Sequence, residues 1–157
     1  HNYENICTAL AATNSLVSLE TAVQAIKEFK GVEHRLEFVR EKNNVKWYND
    51  SIGTSPASTI AGLSAFDESI ILLAGGSDKG LDYEEVGKVV ANKVQTLILT
   101  GPTATKIEEA TRKAPNGEKV EICYVENLRR SSKTSKQKIK TRRHSTTFTS
   151  KCKLWCI

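Results

Sequence analysis

The chain has 157 residues, of which 39% are hydrophobic and 26% charged, with a formal net charge of +5. That length supports one ordinary domain with a core, with room for an added fragment. No run of about eighteen apolar residues occurs, so no membrane-spanning helix is expected, and without an apolar leader a cytoplasmic protein is expected.

The net charge averages two unlike parts. Residues 1–128 hold 13 Lys and Arg against 18 Asp and Glu, a balance of −5, whereas residues 129–157 hold 10 Lys and Arg and no acid. An argument for nucleic-acid binding would therefore rest on the tail alone. The chain starts at His1 and contains no Met, which suggests a fragment of a longer protein. Cys7 and Cys123 lie in apolar contexts and are expected to be small buried thiols. Cys152 and Cys156, with His144 upstream, match no common zinc spacing, and no metal site is expected.

In chain order, residues 3–13 and 18–29 read as helices. Ser18 is a suitable N-cap, although Thr21 stands where a full capping box needs Glu or Gln. Leu19, Ala22, Val23, Ile26 and Phe29 form one apolar stripe, and Gly31 suits a left-handed helix end. Residues 35–41 alternate imperfectly, with Leu36, Phe38 and Arg40 on one face. Lys42-Asn43-Asn44 turns the chain into a second strand over 45–48, a hairpin pattern.

From Asn49 onward strands and helices alternate. Helices are expected over 56–66, 83–92 and 103–113, the first with Pro near its first turn. Strands are expected over 69–74, 96–100 and 119–125, and the unbroken apolar runs SIILLA and TLILT suit strands covered on both faces. Such units imply a Rossmann-like α/β domain with a mostly parallel sheet and flanking helices. After Leu128 the periodicity stops. Residues 129–157 contain ten Ser and Thr beside their ten cations, and disorder is expected there. The sheet is then incomplete at its C-terminal end, with an unpaired edge beside the 119–125 strand.

Three loops carry polar residues that secondary structure does not require. His1-Asn2-Tyr3-Glu4-Asn5 lies at a helix start, where amide side chains cap the helix or meet a ligand. His34-Arg35 precedes the hairpin, and Asn49-Asp50-Ser51 follows it at a strand end, where ligands gather in open α/β sheets. Asp50 there either holds a cation or a ribose, or closes an Asx-turn. Gly75-Gly76-Ser77-Asp78-Lys79-Gly80 follows SIILLA, and its glycines allow close backbone approach while Lys79 supplies a cation. It is not a phosphate-cradling P-loop, and by itself it equally suits a plain connection.

Together and in this order, HNYEN, EHRLE, YNDSIGTSP and LLAGGSDKG resemble the C-terminal portion of the Mur ligase family over about residues 1–128, and within it the D-glutamate-adding members. Other members and folylpolyglutamate synthases carry Asp-Tyr-Ala-His where this chain has Asn49-Asp50-Ser51. The resemblance implies that residues 1–30 are the last helices of a central ATPase domain and 31–128 the glutamate-ligase domain; the composition of 129–157 and the missing elements there suggest a tail foreign to the fold, as a reading-frame shift near Arg129 would produce, with a genuine disordered basic tail as the alternative. It implies ATP-dependent joining of D-glutamate to UDP-N-acetylmuramoyl-L-alanine in peptidoglycan synthesis, through an acyl phosphate and with Mg²⁺ neutralising phosphate charge. Asn5, Arg35 and Asp50 fall where the family contacts ATP. Thr54 and Lys79 fall where it grips the D-glutamate carboxylates.

The family's P-loop and Mg²⁺ residues belong to an upstream domain, so this chain alone is expected to be inactive. Ile52 replaces a lysine common in relatives, and the family's late serine-rich loop has no counterpart after Leu128. Two alternatives remain. Another amide ligase of the family is disfavoured by NDS and GGSDKG. A non-enzymatic α/β domain with a nucleic-acid-binding tail is disfavoured because Phe148 and Trp155 are too sparse for a stacking platform.

Overall fold

The computed structural model describes residues 2–126 and 153–156, in two compact units, His1–Val32 and Glu33–Ile157. The first unit contains α1 (Asn2–Thr13) and α2 (Leu19–Glu28). Ser18 is extended and its side chain accepts the Thr21 N–H at 3.2 Å, while the Thr21 hydroxyl lies 3.0 Å from Ser18 Oγ. The reciprocal half of a capping box is missing, since the Thr21 hydroxyl meets the Ser18 hydroxyl and not its backbone N–H. The apolar stripe of α2 exists, but no residue of α2 is buried. The helix ends with extended Phe29, and Gly31 takes its positive φ (+94°) only two residues later. Cys7 is exposed rather than buried, and Cys123 is half-buried. The apolar context of Cys7 was a poor guide because α1 has little core to close upon within this unit.

The second unit runs β1 (Glu37–Lys42), β2 (Val45–Asn49), α3 (Pro56–Ser64), β3 (Ile70–Gly75), α4 (Glu84–Lys93), β4 (Val94–Thr100), α5 (Ala104–Lys113), a 3-10 turn (Gly117–Lys119), β5 (Glu121–Tyr124) and β6 (Lys153–Cys156). The sheet order is β1-β2-β6-β3-β4-β5. Only the β1–β2 pair is antiparallel; β2–β6, β6–β3, β3–β4 and β4–β5 are all parallel. This is the mostly parallel α/β sheet that the alternating sequence pattern implied.

Asn43 and Asn44 turn the hairpin with φ of +58° and +63°, left-handed values that asparagine tolerates and that match the twist of paired strands. The β1 alternation fails at a bulge between Phe38 and Arg40. Phe38 therefore packs edge-on against Tyr48, while Arg40 lies over Trp47. Adjacent residues of β2 face opposite sides, so the extra residue puts Phe38 and Arg40 on opposite faces, not on the shared face expected.

Helices α3, α4 and α5 pack on one face of the sheet. Leu63, Phe66, Val86, Val90 and Ile107 close there on Ile70, Leu72, Leu97 and Leu99. The intervening residues Ile71, Leu73 and Ile98 form a second cluster with Val45 on the other face. Burial on both faces explains why SIILLA and TLILT lack polar alternation.

β5 is an edge strand, as the sequence reading expected, but that reading placed no strand in 129–157. Lys153–Cys156 instead lies between β2 and β3. Its backbone pairs with both, Trp155 opposite Tyr48 and Leu72. Four residues are too few to show a period, and a central position depends on distant partners that a local pattern does not reveal. The expected disorder of the rest of the tail, and Cys152 with His144, lie outside the described residues. Among the described residues no helix is long and apolar enough to cross a membrane.

The α4–α5 contact is glycine-dependent. A Cβ on Gly87 of α4 would sit 2.3 Å from the Ala110 carbonyl oxygen of α5, and both partners are helix backbone that cannot step aside cheaply. Gly87→Ala is expected to destabilise the second unit by about 1–3 kcal/mol through overpacking. The measurement is a lowered urea midpoint at unchanged slope.

Candidate functional site

Parallel strands end together, and their exit loops gather on one side. β3 ends with Gly75 paired to Thr100 of β4. A Cβ on Gly75 would lie 1.8 Å from the Thr100 carbonyl oxygen, and one on Gly101 would lie 3.3 Å from Gly76 N. Glycine is required at Gly75 for space as well as for its φ of +150°. The two loops are then tied together. The Thr103 backbone N–H and hydroxyl both donate to the Gly76 carbonyl, each at 3.3 Å. Asp78 Oδ1 accepts the Gly80 N–H at 2.9 Å, and Asp78 Oδ2 pairs with Lys106 Nζ at 2.5 Å. The Lys106 ammonium, then the Gly80 amide, hold the Asp78 carboxyl below the usual carboxylate range.

A cavity of about 250 Å³ opens between these loops and the β2–α3 connection. Thr54 and Ser55 form one wall, Gly76, Ser77 and Lys79 another, and Leu72, Val86 and Ile107 contribute apolar surface. Thr54 and Lys79, placed together by resemblance, line this one cavity. Both are exposed, and among the described residues neither side chain makes a hydrogen bond or ion pair. The N-terminus of α3 also borders the cavity, with its first amides satisfied by a Ser55–Ser58 capping box and Pro56 in its first turn. It therefore contributes the positive end of the helix dipole more than free donors.

A second cluster surrounds the β1 entrance and the end of β2. His34 and Leu36 have φ of +63° and +48°, a costly conformation for residues with a Cβ. It is held by several bonds: His34 N donates to Glu37 Oε2, Leu36 N donates to Asp50 Oδ1 at 2.9 Å, and Ile52 N donates to the His34 carbonyl. Asn49 Nδ2 lies 2.7 Å from His34 Nδ1. Asp50 is 2% exposed. Burial raises its pKa, opposed by the Leu36 amide and then by the Arg35 charge. Its other oxygen faces Gly53, where a Cβ would meet Oδ2 at 2.6 Å. Asp50 thus closes no Asx-turn: its side chain ties the β1 entrance to the end of β2 through Leu36, 14 residues away, while the neighbouring Asn49 Oδ1 accepts the Ser51 N–H at 3.1 Å. Arg35 is exposed, with no fixed partner among the described residues.

Asn5 lies exposed in the first turn of α1, in the other unit. Sequence reasoning missed Thr103 and Lys106, which read as ordinary helix-start residues. The available signal was Gly101-Pro102-Thr103 directly after TLILT, at the same sheet end as GGSDKG. Among the described residues no group of three or more His, Cys, Asp or Glu side chains could hold a metal ion.

Residues 34–143 match the family model described as Mur ligase, glutamate ligase domain, a span that continues past Leu128. The chain is 51% identical over 110 residues to a UDP-N-acetylmuramoylalanine--D-glutamate ligase of Ruminiclostridium cellulolyticum, covering 70% of this chain and 24% of that one. The ligase of the same name from Clostridium novyi is 44% identical over 128 residues, covering 81% of this chain and 28% of that one. The chain thus spans about a quarter of the length of these relatives. Among solved structures it superposes on MurF from Acinetobacter baumannii with a TM-score of 0.74 at 19% identity, covering 99% of this chain and 34% of that one. A folylpolyglutamate synthase of Mycobacterium tuberculosis, complexed with ADP and AMPPCP, gives 0.63 at 14% identity, covering 87% and 31%. The fold and the extent of the family match agree, and this chain belongs to the Mur ligase family through its glutamate ligase domain.

Proposed function

We propose that the chain is the amino-acid-binding part of an ATP-dependent ligase that joins D-glutamate to UDP-N-acetylmuramoyl-L-alanine in peptidoglycan synthesis, in the cytoplasm. The observation that carries this reading is the cavity in which Lys79 and Thr54 present an ammonium and a hydroxyl beside the α3 N-terminus. Names borne by relatives at 42–51% identity supply the substrate. In the reaction the alanyl carboxylate takes the γ-phosphoryl group of ATP, releasing ADP. The D-glutamate amine then attacks the acyl carbon, forming the amide and releasing phosphate and a proton.

This chain's part is positioning. Lys79 pairs with a carboxylate of D-glutamate while Thr54 donates a hydrogen bond, which holds the amine in one orientation toward the acyl carbon. Arg35 suits the edge of the nucleotide, being an exposed cation on a loop that Asp50 keeps in place. Asn5 belongs to the same nucleotide-contacting set. The phosphates themselves have no cradle in this sequence, which contains no G-x-x-x-x-G-K-S/T. Mg²⁺ would neutralise phosphate charge when bound, and no described residue cluster is assigned to it.

In a full-length ligase carrying this segment, Lys79→Ala is expected to raise KM for D-glutamate about tenfold to a hundredfold, since a charge-assisted contact is worth about 1.5–3 kcal/mol. KM for ATP should change little. Equal small changes in both constants sink the assignment.

Asp50 gives a pH test of the division between structure and ligand. Its folded-state pKa is raised by burial, so the folded chain binds a proton more readily than the unfolded one. Stability from this group rises as pH falls through the raised value. Asp50→Asn keeps an acceptor for Leu36 N–H without the buried charge. The variant's urea midpoint, compared with wild type, is expected to be most favourable at about pH 7 and to lose that advantage toward about pH 4. A constant difference across that range contradicts a buried, penalised carboxylate.

A further inference from the structure

We infer that Lys106 is a positioning residue for the ligand-binding Lys79, acting through Asp78, which it occupies so that Lys79 remains available for a carboxylate ligand. The inference rests on the proposed role of Lys79. Lys79 sits in a six-residue loop with left-handed glycines at Gly75, Gly76 and Gly80, a segment with much conformational freedom to lose. Its own four-carbon stem adds more. Two tethers restrict that freedom. Before Lys79, the Gly76 carbonyl is held by both donors of Thr103. Across Lys79, Asp78 Oδ1 accepts the Gly80 N–H, so Lys79 is the middle residue of an Asx-turn.

The remaining Asp78 oxygen decides the electrostatics. A carboxylate one residue from Lys79 is a competitor for its ammonium and repels an incoming anion. Lys106, in the first turn of α5, takes that oxygen at 2.5 Å. Lys106 does not line the cavity, so it acts on a ligand only through Asp78. The Thr103 hydroxyl is likewise committed as a donor to Gly76, which makes it a clamp and not an anion donor. Without Lys106 the Asp78 charge turns inward on Lys79, and carboxylate affinity falls.

The test titrates D-glutamate into the ¹⁵N-labelled chain and follows the Gly76 and Gly80 amide resonances. Lys106→Ala is expected to weaken binding about two- to fivefold, the range of an exposed ion pair, with the β3 and β4 resonances and the urea midpoint unchanged. Lys106→Arg should bind as wild type does. Asp78→Asn added to Lys106→Ala should recover part of the loss, because it keeps the turn and removes the competing charge. Lys113→Ala, which removes the same charge from the far end of α5, should leave binding unaltered. Unchanged binding in Lys106→Ala, an equal loss in Lys113→Ala, or further weakening in the double variant overturns the inference while leaving Lys79 in place. Saturable binding that survives Lys79→Ala, or none in the wild-type chain, removes the ligand role of Lys79 itself and the inference with it.

Discussion

The site depends on one steric fact at the end of the central strand pair. Gly75 lies so close to the Thr100 carbonyl that a methyl group would overlap it, at 1.8 Å. Both strands are buried up to that point, so their register is fixed by packing and a slip would turn core residues outward. Beyond it the chains leave through Gly76 and Gly101, which lie against each other. The loops that bear Lys79 and Thr103 therefore start from positions set by the core. A loop anchored at both the strand end and a neighbouring helix start retains less freedom than its three glycines alone would allow.

The neighbouring loop is held differently. His34 and Leu36 occupy left-handed backbone, at a cost of order 1–3 kcal/mol each. Asp50 helps to offset it by binding the Leu36 amide from inside the protein, where its charge is itself disfavoured. Two unfavourable features thus support each other: the strained loop gives the buried carboxylate a donor, and the carboxylate fixes the loop. Gly53 makes room for this, since any side chain there would strike Asp50 Oδ2. Arg35 lies between the two strained residues, so its backbone is held from both sides while its side chain stays in solvent.

Much of this was legible in the sequence. The runs SIILLA and TLILT and the helical stretches between them identified the α/β sheet because burial on two faces leaves a local mark. The Asn43-Asn44 turn and the Ser18 cap were legible because each is set by residues adjacent in the chain. What failed depended on partners far along the chain. Val39 makes a bulge only because β2 pairs across it, and Lys153–Cys156 is a strand only because β2 and β3 flank it. Cys7 looked like a core thiol because its neighbours are apolar, yet α1 and α2 enclose little. At the site, Thr54 and Lys79 came from resemblance, and the cavity joins them. The roles of Thr103 and Lys106 were hidden beyond the Gly101-Pro102-Thr103 signal because their partners lie 27 and 28 positions earlier.

The same limit explains why cations in a sequence say little about anion binding until their partners are known. Among the described side chains of the second unit most are engaged. Lys88 pairs with Glu84 and Glu85, Lys93 donates to the Phe66 carbonyl, Arg112 to those of Gly117 and Val120, Lys119 to Asn116, and Arg40 covers Trp47. Lys106 is held by Asp78. Among the described residues that leaves Lys42, Lys46, Lys79, Lys113 and Arg35 without a fixed partner. Lys42 and Lys46 flank the hairpin turn and Lys113 ends α5, all away from the carboxyl ends of β2, β3 and β4. Of these, Arg35 and Lys79 alone combine a charge free of any direct ion pair with the end of the sheet where the loops converge. An anion arriving there meets the Lys79 ammonium, which no internal carboxylate has already neutralised, beside an exposed Arg35 whose charge Asp50 feels without a direct ion pair, and this, more than the number of lysines, makes that end of the sheet suited to anionic ligands.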